Sequence, residues 1–176
     1  MGENGKLTQP LCPQAPACDV DEVAALLART PSVLQTLLRN GPGASVAACG
    51  DEEATWTPFQ VIDHLLHGER EDWIPRMRVL LGRRPAPRGP ARLLEQLGAS
   101  RRAHDLPELL AEFSRARAQS VERLRALELS PADLDRPCHD EDFGPVTPRE
   151  LLMAWLVHDV GHVEQIVDAM GRRSAD

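Results

Sequence analysis

No apolar run in the sequence approaches the ~18–20 residues that a membrane span requires. The first residues, MGENGKLTQPLCPQAPACDV, lack the basic and apolar regions of a secretory signal. A cytoplasmic protein is therefore expected. Basic charge is not in excess either: the net charge is −7, which argues against a nucleic-acid or anionic-membrane partner, since either would favour a basic face. No stretch alternates with period two for long enough to predict a strand, and no segment repeats. The four cysteines, Cys12, Cys18, Cys49 and Cys138, never stand in the CxxC spacing of a zinc knuckle or redox pair. In a reducing cytosol they are expected as free thiols.

What is present is an ordinary globular composition, 42% hydrophobic and 27% charged over 176 residues, enough for one domain with a real core. Residues 1–18 carry Pro, Gln and Gly with little to bury, which predicts a flexible arm ahead of a single domain over 19–172. Helical spacing follows at Val23, Leu26, Leu27, Val33, Leu34, Leu37 and Leu38, with Asp19 or Asp21 as cap and Pro31 as a kink or break. A second helix opens at Thr57-Pro58 and closes at Gly82, with an irregularity expected at Pro75. The Arg- and Pro-rich stretch 83–105 reads as a long connection with one helical turn around Leu93 to Leu97. Asp105 caps a third helix with Leu106, Leu109, Leu110, Phe113, Val121 and Leu124 as its apolar stripe. A loop over 131–147 then leads to a capping box, Thr147 and Glu150, around Pro148, and a fourth helix to about Gly171. The predicted fold is an all-α four-helix bundle. The length of the 83–105 connection fits an up-down-down-up order with a crossover between helices two and three, and length alone also leaves up-down-up-down open.

The fourth helix contains HDVGH. Leu151, Trp155, His158, His162, Ile166 and Ala169 recur every three or four residues, so both histidines fall on the buried seam. Imidazoles at i and i+4 share a face and can bind one ion. The same spacing also serves two core histidines bonded to neighbours. Two imidazoles fall short of a catalytic site, which usually takes three protein ligands and leaves one position for water. His104 and His139 lie in loops beside charges and are expected in solvent. His64 and His67 lie on helix two, and the helical wheel does not choose between them. Gly161, in a helix interior, raises the question of a close approach by another helix or a ligand.

The motif WTPFQVIDHL at the start of helix two, followed in the last helix by HDVGHVEQI, resembles the DinB/YfiT-like superfamily over most of residues 20–171. The resemblance implies a four-helix bundle in which one His of helix two and the HxxxH of the last helix hold a divalent transition metal, zinc or nickel foremost. Carried over by position, the ligands become His64, His158 and His162, with water or substrate completing the shell. Gln165 is then expected to hydrogen-bond a ligand or a facing helix. The resemblance further implies an enzyme activating water or a low-molecular-weight thiol such as bacillithiol or mycothiol, as a hydrolase or thiol-dependent S-transferase acting on a small molecule. It also implies a homodimer.

Three further side chains enter on the residues alone. Glu69 stands in the middle of an apolar stripe and must find a partner or take up a proton. It is a candidate catalytic base, with a buried pair to an Arg of another helix as the alternative. Trp73 and Trp155 are candidates for lining the pocket, or simply core. Asp63 and Asp159 adjoin ligands in sequence but point to other faces, and surface positions are expected for both. Competing readings come from other classes. A zinc protease is disfavoured because Asp159 replaces the Glu of HExxH. An HD-type phosphohydrolase lacks a second cluster. The serious rival is a non-enzymatic, metal-binding stress-response bundle with a structural or vestigial site, which a fourth protein ligand would favour.

Overall fold

In the computed structural model, residues 19–39, 56–83 and 105–172 are described. The expected arm over 1–18, the helical turn near Leu93, Cys12, Cys18, Cys49 and His104 lie outside the described residues. Asp19 caps α1 (Val20–Leu27) through a capping box with Glu22. The helix is interrupted by a turn at 28–29 just before Pro31, and α2 (Thr30–Arg39) continues from there, so Pro31 divides the first helix into two. Its missing N–H is harmless in the first turn of a new helix.

Thr57 and Gln60 form the capping box of α3 (Pro58–His67). A π-helical turn follows at Gly68–Asp72, then α4 (Trp73–Leu80). The irregularity expected at Pro75 therefore sits just before it. A ring at position 75 clashes with the carbonyl four residues back, and widening the ladder to i+5 upstream accommodates it, as the Trp73 N–H to Gly68 carbonyl bond does. Gly82, at φ +68°, ends the element in the left-handed region. Asp105 caps α5 (Leu106–Arg125) by accepting from the Glu108 N–H at 2.9 Å.

The stretch read as a loop over 131–147 is more ordered than expected. It holds a short helix α6 (Pro131–Leu134) and a hairpin of β1 (Cys138–Asp140) and β2 (Gly144–Val146), antiparallel with Cys138 opposite Val146. Three residues per strand are too few for period-two patterning to reveal. The hairpin is held from outside by Arg76 of α4, which pairs with Asp140 at 2.8 Å and also with Asp142. The Cys138 thiol donates to the Leu80 carbonyl at 3.3 Å. Thr147 and Glu150 form the expected reciprocal cap, at 2.7 and 3.2 Å, and α7 (Pro148–Arg172) completes the bundle.

Two core clusters fix the directions of the four bundle helices. One joins Val23 and Leu27 of α1 to Trp73 and Met77 of α4, Leu124 of α5, and Leu151 and Trp155 of α7. The other joins Leu34 and Leu38 of α2 to Val61 and Ile62 of α3, Leu109 and Phe113 of α5, and Ile166 of α7. The start of α1 thus meets the end of the second helix, the end of α5 and the start of α7. Helices one and four run one way, two and three the other: up-down-down-up. The apolar spacing of the first helix was too inclusive, because Leu26 and Val33 are 44% and 42% exposed.

Gly161 is exposed, and a Cβ placed there would meet nothing within 4 Å. No described neighbour demands the glycine. Replacing it with Ala should therefore stabilise the fold by roughly 0.5–1 kcal/mol through helix propensity and a less flexible unfolded chain. Urea unfolding would register this as a higher midpoint with an unchanged slope.

Candidate metal centre

His64 projects from α3, and His158 and His162 from consecutive turns of α7. The ligand-capable atoms of the three all lie within 4.8 Å of one another. The Nε2 atoms of His64 and His158 are 3.0 Å apart, and those of His162 and His158 are 3.2 Å apart. Nitrogens bound at about 2.0–2.1 Å to one tetrahedral ion would be separated by roughly 3.3 Å. The spacing fits a shared ion.

Proton accounting leads to the same place. Nδ1 of His162 lies 3.0 Å from Oε1 of Gln165, so its N–H is given to that oxygen and its Nε2 carries a lone pair. Nε2 of His158 then faces two neighbouring nitrogens with one position to offer, and one N–H cannot serve both well. A cation among the three satisfies all the lone pairs together. The Nδ1 atoms of His64 and His158 are buried without a partner, as are few polar atoms in folded proteins.

Burial, and after it the mutual repulsion of the rings, holds His64 at about 4 and His158 at about 3. Burial also lowers His162, against the opposing pull of Gln165 and Asp159. All three imidazoles are therefore neutral near pH 7, the state in which they can ligate. In metal-free protein these folded values lie below the unfolded value of about 6.5, so the unfolded chain binds more protons between the two. Stability is accordingly full above about 6.5 and lost as the pH falls toward 4. Urea unfolding at pH 7 and pH 5 in the presence of chelator should show this loss, and His158→Leu should shrink it.

Aromatic rings enclose the cluster. Trp56 meets His64 edge-on at 5.0 Å between centroids and lies nearly parallel to His162 at 6.1 Å. Trp73 meets His158 edge-on at 5.2 Å and stacks on Trp155 at 5.6 Å. Trp73 thus borders the cluster, while Trp155 sits one layer behind it, and both belong to the hydrophobic core. Trp56 entered the sequence reading only as part of the helix-start motif. Its wall position was missed, because the residue precedes the helix and carries no periodicity. Gly68 lets the indole of Trp73 approach closely: a Cβ there would stand 3.0 Å from Nε1 and the ring would have to shift.

Glu69 is 2% exposed and pairs with Arg117 of α5 at 2.8 Å, while its Oε1 also accepts from Nε1 of Trp155 at 3.2 Å. The partner is the Arg of another helix that the sequence left open. Burial pushes the Glu69 carboxyl up, with Arg117 pulling the other way. Asp159 corrects an expectation. It is 1% exposed rather than on the surface, bound by both arms of the Arg117 guanidinium and by the Thr30 hydroxyl at 2.6 Å. One residue beyond His158 on a helix is a turn of about 100°, and in α7 that direction faces α2 and α5 instead of solvent. Arg117 itself was not singled out, although it follows Phe113 by one turn on the inward stripe of α5. The test that flagged Glu69, a charge on an apolar face, would have found it. Asp63 and His67 are half-buried and His139 is exposed. Among the described residues no fourth His, Cys, Asp or Glu joins the three histidines.

A four-helix bundle carrying a three-histidine centre suited to a divalent ion is thus the class that fold and site define. Residues 20–166 match the DinB superfamily, and the chain belongs to that family. It is also similar to the solved structure of YfiT from Bacillus subtilis, with a TM-score of 0.71 and 18% identity, covering 88% of this chain and 87% of that one. YfiT is described as a probable metal-dependent hydrolase with an unusual four-helix bundle topology. No curated protein matches the chain. Among the described residues no helix is long and apolar enough to cross a membrane.

Proposed function

We propose that this protein is a metal-dependent enzyme that binds one divalent transition ion, zinc or nickel, through His64, His158 and His162 and turns over a small-molecule substrate. The observation that carries the reading is the convergence of three neutral imidazoles at ion-sharing distances with no fourth protein ligand among the described residues. An ion held this way supplies Lewis acidity, lowering the pKa of a coordinated water toward ~7 or ionising a bound thiol. The protein's own groups prepare that position. Gln165 fixes the tautomer of His162, and Trp56 and Trp73 pack edge-on against His64 and His158. Glu69, held by Arg117 and Trp155, serves as a support behind Trp155.

Two reactions suit such a site, hydrolysis and transfer of a low-molecular-weight thiol such as bacillithiol or mycothiol. The YfiT description supports the first, and the resemblance read from the sequence supports the second. A structural or vestigial site is the weaker reading, because Glu69, the candidate closing ligand, is engaged elsewhere. Zinc- or nickel-loaded protein should hydrolyse chromogenic esters or amides, or consume thiol in the presence of an electrophile, and His158→Ala should abolish the rate. Loaded protein inert in both assays across a substrate panel would contradict the enzyme reading.

A further inference from the structure

We infer that Arg117 is a positioning residue of the metal centre, fixing the rotation of α7 that turns His158 and His162 toward His64. The inference rests on the metal-binding reading above. Arg117 is 1% exposed and joins all four bundle helices: it donates to the Leu27 carbonyl at 2.9 Å, pairs with Glu69 at 2.8 Å, and grips both oxygens of Asp159. Its guanidinium also lies over the rings of Phe113 and Trp155, at 5.1 and 5.4 Å.

Two of these contacts pin α7 on either side of its first ligand. Asp159 is the neighbour of His158 and lies three residues before His162, and Trp155 lies three residues before His158. Asp159 is held by Arg117 and Thr30, and Trp155 by Glu69. Each residue turns a helix by about 100°, so fixing the carboxylate at 159 fixes where the imidazoles at 158 and 162 point. Stability alone explains the arrangement poorly. Buried ionic clusters can often be replaced by apolar groups with no loss, whereas they do impose one geometry where a register must be chosen. Here the register is the one that closes the three-histidine cluster. Groups behind metal ligands commonly affect affinity by 10–100-fold.

The test is cobalt(II) titration of the full chain, following visible absorption as a report on coordination geometry. Arg117→Lys keeps the charge but loses the two-armed grip, and is expected to bind cobalt roughly 10–100-fold more weakly with an altered band. Thr30→Val, which leaves every buried charge in place, should shift affinity in the same direction by several-fold and keeps the test open if Arg117→Lys does not fold. Leu134→Ala, a buried truncation on α6, which carries neither a ligand nor a residue touching Arg117, should lower the melting temperature and leave affinity and band unchanged. Wild-type binding in Arg117→Lys and Thr30→Val, or equal weakening in Leu134→Ala, would overturn the inference. A wild-type protein with no cobalt band, indistinguishable from His158→Ala, would instead overturn the metal reading on which it rests.

Discussion

Arg117→Met is expected to destabilise the protein by about 3–5 kcal/mol, the range for removing one partner of a buried ion pair. The guanidinium is the sole cation in contact with both Glu69 and Asp159 among the described residues. Burial works against its charge, and the hydrogen bonds and charges of Asp159 and Glu69 more than compensate, so it stays protonated. Without it two carboxylates are left in the interior, and the Leu27 carbonyl loses its donor. In the variant burial alone acts on Glu69, without the opposing pull of Arg117, so its carboxyl should be pushed further up. The penalty should then be largest above neutrality and diminish as the pH falls and Glu69 takes up a proton. Urea unfolding of both proteins at pH 8 and pH 5 measures it. A loss under about 1 kcal/mol at both pH values would mean that water reaches the cluster and screens it.

Metal-dependent stability is the second large effect. An ion that binds only the folded chain stabilises it by mass action, by about 4 kcal/mol when free metal exceeds the dissociation constant a thousandfold. For a chain of this length that corresponds to a rise in Tm on the order of 10 °C. Wild-type protein melted with zinc or nickel, and again after chelation, should show this difference. His158→Ala should melt at one temperature in both conditions, since two remaining imidazoles make a poor site. Identical melting of wild-type protein with and without metal would count against the three-histidine centre.

The parts of this molecule that were legible in the sequence are those governed by local chemistry. Thr57 before Pro58, Thr147 with Glu150, and Asp105 announced helix starts because each satisfies backbone N–H groups that nothing else can reach. HxxxH placed two ligands on one face because i and i+4 always share one. The third ligand was less accessible. His64 and His67 both lie near the edge of the stripe of α3, and the choice between them came from resemblance to a family, not from periodicity. The structure brings His64 into the cluster.

Features depending on long-range partners were illegible. Asp159 looked peripheral because its burial requires an arginine 42 residues away. Trp56 looked like a helix-start marker because its contacts with His64 and His162 exist only after α3 and α7 pack. The hairpin over 138–146 owes its place to Arg76 and Leu80 of α4, and its strands are too short to leave a pattern. The π-turn at Gly68–Asp72 displaced the expected irregularity by one turn, since a proline's effect falls on the carbonyls before it.

The most direct test of the central claim is transition-metal content per chain by mass spectrometry on untagged protein, with His64→Ala and His67→Ala alongside wild type. The account predicts near one zinc or nickel ion per chain in wild type and in His67→Ala, and none in His64→Ala. Metal lost in His67→Ala but kept in His64→Ala, or no metal in any preparation even after zinc or nickel is added, would contradict it.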